Sequence, residues 1–143
     1  MVAAVVYNVF IERFANKEID FFGTTDAWKM VIHTDAPVPT TDDDLVDLTQ
    51  IGGSNGYTTG GENMTFNSTR ATNVITATAL DIVWTAAGGN LGASTTGRYF
   101  SSYDDTHASD ALHFSYDYGT TFTVADGETM TADFGASYAT LTG

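Results

Sequence analysis

The chain predicts a mainly β fold: a single-domain antiparallel β-sandwich or jelly-roll-like body with one N-terminal α-helix. Three observations carry this. Large side chains at Leu112, Phe114, Tyr116 and Tyr118 alternate with His113, Ser115 and Asp117, the period of a strand with one apolar and one polar face. The alternation recurs at Met130, Ala132 and Phe134 against Thr129, Thr131 and Asp133, and at Tyr99, Ser101 and Tyr103 against Arg98, Phe100 and Ser102. Turns rich in Asp, Gly, Ser and Thr separate these segments, which reads as an antiparallel meander. Leu112, Phe114, Tyr116, Met130 and Phe134 are the predicted inward residues.

Taken in order, residues 2–17 predict the only substantial helix, within an N-terminal segment 1–18. Tyr7, Phe10, Ile11 and Phe14 fall at helical spacing on one face. Val2, Val5, Val6 and Val9 widen the apolar zone beyond what one sheet face can cover, so this valine side is the candidate assembly contact. The β-rich body follows over 26–142. Trp28, Met30 and Ile32 alternate with Lys29, Val31 and His33 as a strand. Pro37 and Pro39 exclude a central strand after it. Asp42, Asp43 and Asp44 before Leu45, Val46 and Leu48 predict a short helix with acids at its positive end. Glycines at 52, 53, 56, 60 and 61 make a turned loop around Tyr57. Strands are predicted at 63–67 and 73–78 with a turn near 68–72, then at 81–86, then through the meander, with a last strand at 137–141. The whole of 1–143 reads as one domain.

Composition narrows the function. Aromatic content of 13% and hydrophobic content of 43% specify a folded chain. There are no cysteines, which excludes disulfides, thiol nucleophiles and cysteine-ligated metals. Five Lys and Arg against 18 Asp and Glu leave a net charge of -13, and the cations are scattered, so a phosphate backbone would be repelled and no nucleic-acid partner is expected. The apolar start lacks a basic leader and is broken by Glu12 and Arg13, so no signal peptide or membrane span is expected. Two sequons, Asn63-Met64-Thr65 and Asn67-Ser68-Thr69, carry little weight without secretion.

No set of residues predicts catalysis, and the chain reads as a non-enzyme. The acidic groups Asp42 to Asp44 and Asp104, Asp105 and Asp110 lack calcium-loop spacing and read as solvated loops or caps. His33, His107 and His113 lack metal-ligand spacing and read as exposed strand or loop residues. Ser, His and Asp are present without a G-x-S-x-G elbow. Neither metal nor cofactor is expected. Trp28, Trp84, Tyr99, Tyr103, Tyr116 and Tyr118 could stack a sugar, but such rings more often fill a core.

The order of motifs resembles a family of small tailed-phage proteins of mostly unassigned function. It runs from Asn16-Lys17-Glu18-Ile19-Asp20, through the strand at 28–34 and an acidic loop, to Gly56-Tyr57-Thr58-Thr59-Gly60-Gly61. Next come Asp81-Ile82-Val83-Trp84-Thr85, Tyr103-Asp104-Asp105-Thr106, Ser109-Asp110-Ala111-Leu112 and Asp117-Tyr118-Gly119. The Pro37 to Pro39 loop and the valine-rich start depart from the pattern. The resemblance implies a virion structural protein made in the host cytoplasm, foremost a capsid decoration (cement) protein on the outer surface of the head. Its partners would be the major capsid protein and copies of itself, a homotrimer being the favoured closure. A tail, neck or fibre-associated protein and a carbohydrate-binding module are the alternatives.

Overall fold

The computed structural model describes residues 4–21, 25–93, 96–135 and 138–142, with backbone alone at 70, 139, 141 and 142. It is mainly β with one short helix, as the alternation predicts. In order the elements are β1 (Val5–Val6), α1 (Asn8–Ala15), β2 (Trp28–His33), a 3-10 turn (Leu45–Asp47), β3 (Glu62–Met64) and β4 (Phe66–Ala71). Then come β5 (Val74–Ala79), β6 (Ile82–Thr85), β7 (Gly97–Asp104), β8 (Ala111–Phe122), β9 (Thr129–Ala132) and β10 (Ala139–Thr142). The strands form a five-stranded sheet β1-β8-β7-β2-β3, a three-stranded sheet β10-β5-β4 and a β6-β9 ribbon, with every pair antiparallel.

The helix is shorter than its apolar pattern predicts. Val5 and Val6 pair with Ser115 and Phe114 as an edge strand, and helical geometry begins only at Asn8. Adjacent β-branched valines are stiff at χ1 and favour the pleated conformation once a strand edge is available. The helix ends in a Schellman motif: Lys17 stands at φ 62, Lys17 N–H donates to Phe14 O, and Glu18 N–H donates to Arg13 O. The predicted short helix after Asp44 is the single 3-10 turn. The turn predicted near 68–72 is the two-residue hairpin Thr72–Asn73, with Ala71 opposite Val74.

The main core lies between the five-stranded sheet and the two smaller ones. Trp28, Met30, Ile32 and Phe100 from the first meet Ala77, Ala79, Ile82, Trp84 and Ala132 from the others. Tyr116 and Phe134 are buried there, and Phe114 and Met130 pack against it while partly exposed.

The opposite face of the five-stranded sheet is also covered, which corrects the reading of one solvated polar face. Tyr7, Val9, Val31, Leu48, Tyr103 and Leu112 form a second, smaller core. The segment after β2 folds back to make it: Thr34 N–H donates to Thr49 O, Ile51 N–H to Ile32 O, and Leu112 N–H to Asp43 O. The β7–β8 register slips between Ser101 and Tyr103, so β8 spends an extra residue there. That bulge breaks the alternation of 112–118. Leu112 joins the second core, whereas His113 and Phe114 both meet the rings of the main-core side.

Helix α1 sits over the β8 edge of this sheet and feeds both cores. Val9 is buried in the second core, and Phe10 and Phe14 pack against the first. Ile11, predicted to share the inward stripe, is 58% exposed.

Candidate functional site

Polar side chains buried between the layers make the most organised group in the molecule. His33 ends β2 and Ser101 lies opposite Val31 on β7, both fully buried. His33 Nε2 lies 2.8 Å from Ser101 Oγ, and Ser101 Oγ lies 3.0 Å from the Tyr7 hydroxyl. On the outer side His33 Nδ1 lies 3.4 Å from Asp35 Oδ1, which accepts the Thr49 N–H at 2.9 Å. A carboxylate only accepts, so in the neutral ring Nδ1 carries the hydrogen and Nε2 accepts from Ser101. Ser101 then accepts from Tyr7. Burial pushes the Tyr7 hydroxyl up to about 12, so it keeps its proton, and burial lowers His33 against the opposing pull of Asp35.

Ser101, His33 and Asp35 thus stand in the order of an acyl-transfer triad. The geometry does not let them work as one here. Ser101 is shut inside the sheet with the Tyr7 hydroxyl on its oxygen, so no carbonyl carbon can approach it. The relay instead satisfies polar groups that the second core would otherwise bury unpaired. The absent G-x-S-x-G elbow says nothing about it, because strand pairing brings His33 and Ser101 together from 68 residues apart.

His113 contrasts with His33. It is fully buried, its ring centroid lies 3.9 Å from Trp28 and 5.2 Å from Phe10, and neither ring nitrogen has a partner among the described residues. Burial holds it well below the ordinary histidine range, helped by the nearby charges of Arg13 and His107. The expectation of exposed histidines therefore fails for His33 and His113. His107, half-buried, belongs to a polar node: Arg13 Nη1 donates to Asp44 Oδ1 and Ser109 Oγ, each at 3.1 Å, and lies 3.4 Å from His107 Nδ1. That node ties α1 to the loops at both sides of the sheet edge.

The acidic groups are built into loops. Asp47 accepts the Asp43 and Asp44 N–H groups, and Asp42 accepts that of Val38. Asp104 departs from the solvated reading, because it is buried and its Oδ1 accepts Thr106 and His107 N–H groups. Burial, with Asp26 beside it, raises its carboxyl above the usual range. Asp104 lines an open hollow of about 360 Å³ with Glu18, Asp26 and His107. Among the described residues no three His, Asp or Glu side chains are grouped to hold a metal ion.

The glycine-rich motif is a structural pin. Tyr57 is buried, and its hydroxyl accepts the Ile32 N–H and reaches Gln50. A Cβ on Gly56 or Gly61 would sit 1.9 Å from the Thr85 or Met30 carbonyl oxygen, so only glycine lets this loop lie against the strands. Trp28, Trp84, Tyr99, Tyr103 and Tyr116 are buried and offer no stacking face to solvent, while Tyr118 is exposed.

Of the candidate assembly residues, Val2 lies outside the described residues. Val5 and Val6 are 41% and 36% exposed on the edge strand, and Val9 is buried under its own helix. Three cations are engaged within the chain: Arg13 with Asp44 at 3.1 Å, and Lys29 with Asp105 and Arg98 with Asp117 at 2.9 Å each. No helix among the described residues is long and apolar enough to cross a membrane. Comparison with known protein families, curated proteins and solved structures finds no match.

Proposed function

We propose that this chain is a structural protein of a bacteriophage virion, a capsid decoration protein seated on the outside of the head. The order of motifs along the chain implies the class. The observation that carries the docking element is β1, a two-residue strand at the edge of the main sheet with Val5 and Val6 open to solvent. Apolar side chains left open on a sheet edge are a ready contact for another chain. The buried relay, the engaged cations and the core aromatics fit a scaffold whose surface, not an internal site, does the work. The acidic exterior suits an outward face that keeps particles apart. The capsid protein is the proposed partner, with further copies of this chain around a threefold position.

The test is co-sedimentation of the purified protein with phage heads that lack it, beside tails and a glycan array. Binding to heads is expected, with a trimer by light scattering. The doubly substituted Val5→Asp, Val6→Asp protein should keep its circular dichroism spectrum and lose the heads, because it places charge in an apolar contact. Binding to tails or glycans instead, or undiminished head binding by the folded variant, would overturn the reading.

A further inference from the structure

We propose that His113 is the acid trigger of a clasp formed by β1 and α1: when its ring takes up a proton, the helix leaves the sheet edge. The inference stands on how the segment is held and does not depend on the virion reading. The Tyr7 N–H donates to the carbonyl of His113 at 3.0 Å, and the His113 ring packs against both Trp28 of β2 and Phe10 of α1. One residue therefore anchors the start of the clasp through its backbone and seats the helix through its side chain.

A neutral imidazole is tolerated in this box of rings. An imidazolium is not, because it brings two N–H donors and a charge to a place where no described residue accepts from either nitrogen. The charges acting on it are also of the wrong sign: Arg13 from α1 and His107 from the β7–β8 loop. Trp28 lies on the sheet side of the ring, and Phe10 on the helix side belongs to a single short element. Displacing α1 is therefore the way for the charged ring to reach water. Opening also parts Arg13 from Asp44 and Ser109, which resists it and keeps the clasp shut at neutral pH.

The second buried histidine is not the trigger. A proton on His33 is shared with Asp35, with Asp42 adding further negative potential. Its Nε2 can then donate to Ser101, whose hydrogen turns toward Tyr7. His33 has partners in both states, whereas among the described residues His113 has them in neither.

The experiment is hydrogen exchange of the whole chain, read as protection factors corrected for intrinsic rate. With an exposed histidine near its ordinary pKa of about 6.5, α1 opening should rise by up to about 50-fold between about pH 6.5 and about pH 4.5. The α1 amides should lose protection by that factor and, at every pH, exchange well ahead of the β2 and β7 amides, which report global unfolding. His113→Phe, which fills the box and cannot gain a proton, should abolish the dependence, and His33→Gln should leave it. Should His113→Phe not fold, the His113 ring resonance in the unaltered protein must move together with α1 opening. Four results would overturn the clasp: pH-independent α1 protection, α1 protection equal to that of β2 and β7, an unchanged response in folded His113→Phe, or ring titration that does not track opening.

Discussion

Lys17 shows at the residue scale how little of a conformation needs to be ideal. It occupies the left-handed position that ends α1, at φ 62, where the Cβ crowds the following carbonyl and glycine is the usual occupant. Lys17→Gly removes that strain and should raise unfolding stability by about 1 kcal/mol, read from denaturant midpoints at unchanged slope. Asp104 carries a different cost. Its Oδ1 holds two loop amides while burial and Asp26 disfavour its charge. Asp104→Asn keeps an acceptor for the amides and removes the charge. Its melting temperature should rise at neutral pH, and the gain should shrink as acid neutralises the native carboxyl, since a raised folded pKa destabilises above its own value.

At the scale of elements, β7 and β8 hold the molecule together. Every residue of β7 after Arg98 is buried, because both faces of the strand are roofed. Phe100 stacks on Phe122 at 5.6 Å and meets Trp84 at 5.8 Å, so it bridges the main sheet and the β6–β9 ribbon. Phe100→Ala should cost about 3–5 kcal/mol in equilibrium unfolding, with the cavity left open because strands on both sides cannot collapse into it. Helix α1 follows the opposite logic. Its apolar circumference exceeds one face because it rides an edge between two cores, and Val9 is consumed there. Among the described valines of the run, that leaves Val5 and Val6 open to a neighbour.

For the whole molecule, acid is the condition that separates its parts. Burial lowers both His33 and His113 below the ordinary value of about 6.5, so the unfolded chain binds more protons than the folded one in that range. Their contribution to stability is complete above about pH 6.5 and is lost progressively as pH falls toward the folded values. Urea unfolding from about pH 7.5 down to about pH 5 should show stability declining below about pH 6.5. His113→Phe should remove the larger share of that decline, because His33 retains Asp35 as a partner.

Much of this architecture is legible along the chain because it rests on short-range rules. Alternation in 99–103, 112–118 and 129–134 specifies strands, and the scarcity of helical periodicity beyond residue 17 specifies a mainly β class. Absent cysteines and scattered cations limit the chemistry without any coordinates. Tertiary structure decided which way the faces turn. A bulge in β8 reversed Leu112 against Phe114, and the fold-back of 34–51 buried a face whose His33 and Ser115 read as polar and outward. It likewise turned two valines of a predicted helix into an edge strand. The relay and the His113 box draw their members from strands, helix and loops far apart in sequence, and pairing register brings them into contact. Periodicity reports that a residue sits on one side of a strand or helix, but whether that side meets water depends on what the rest of the chain lays over it.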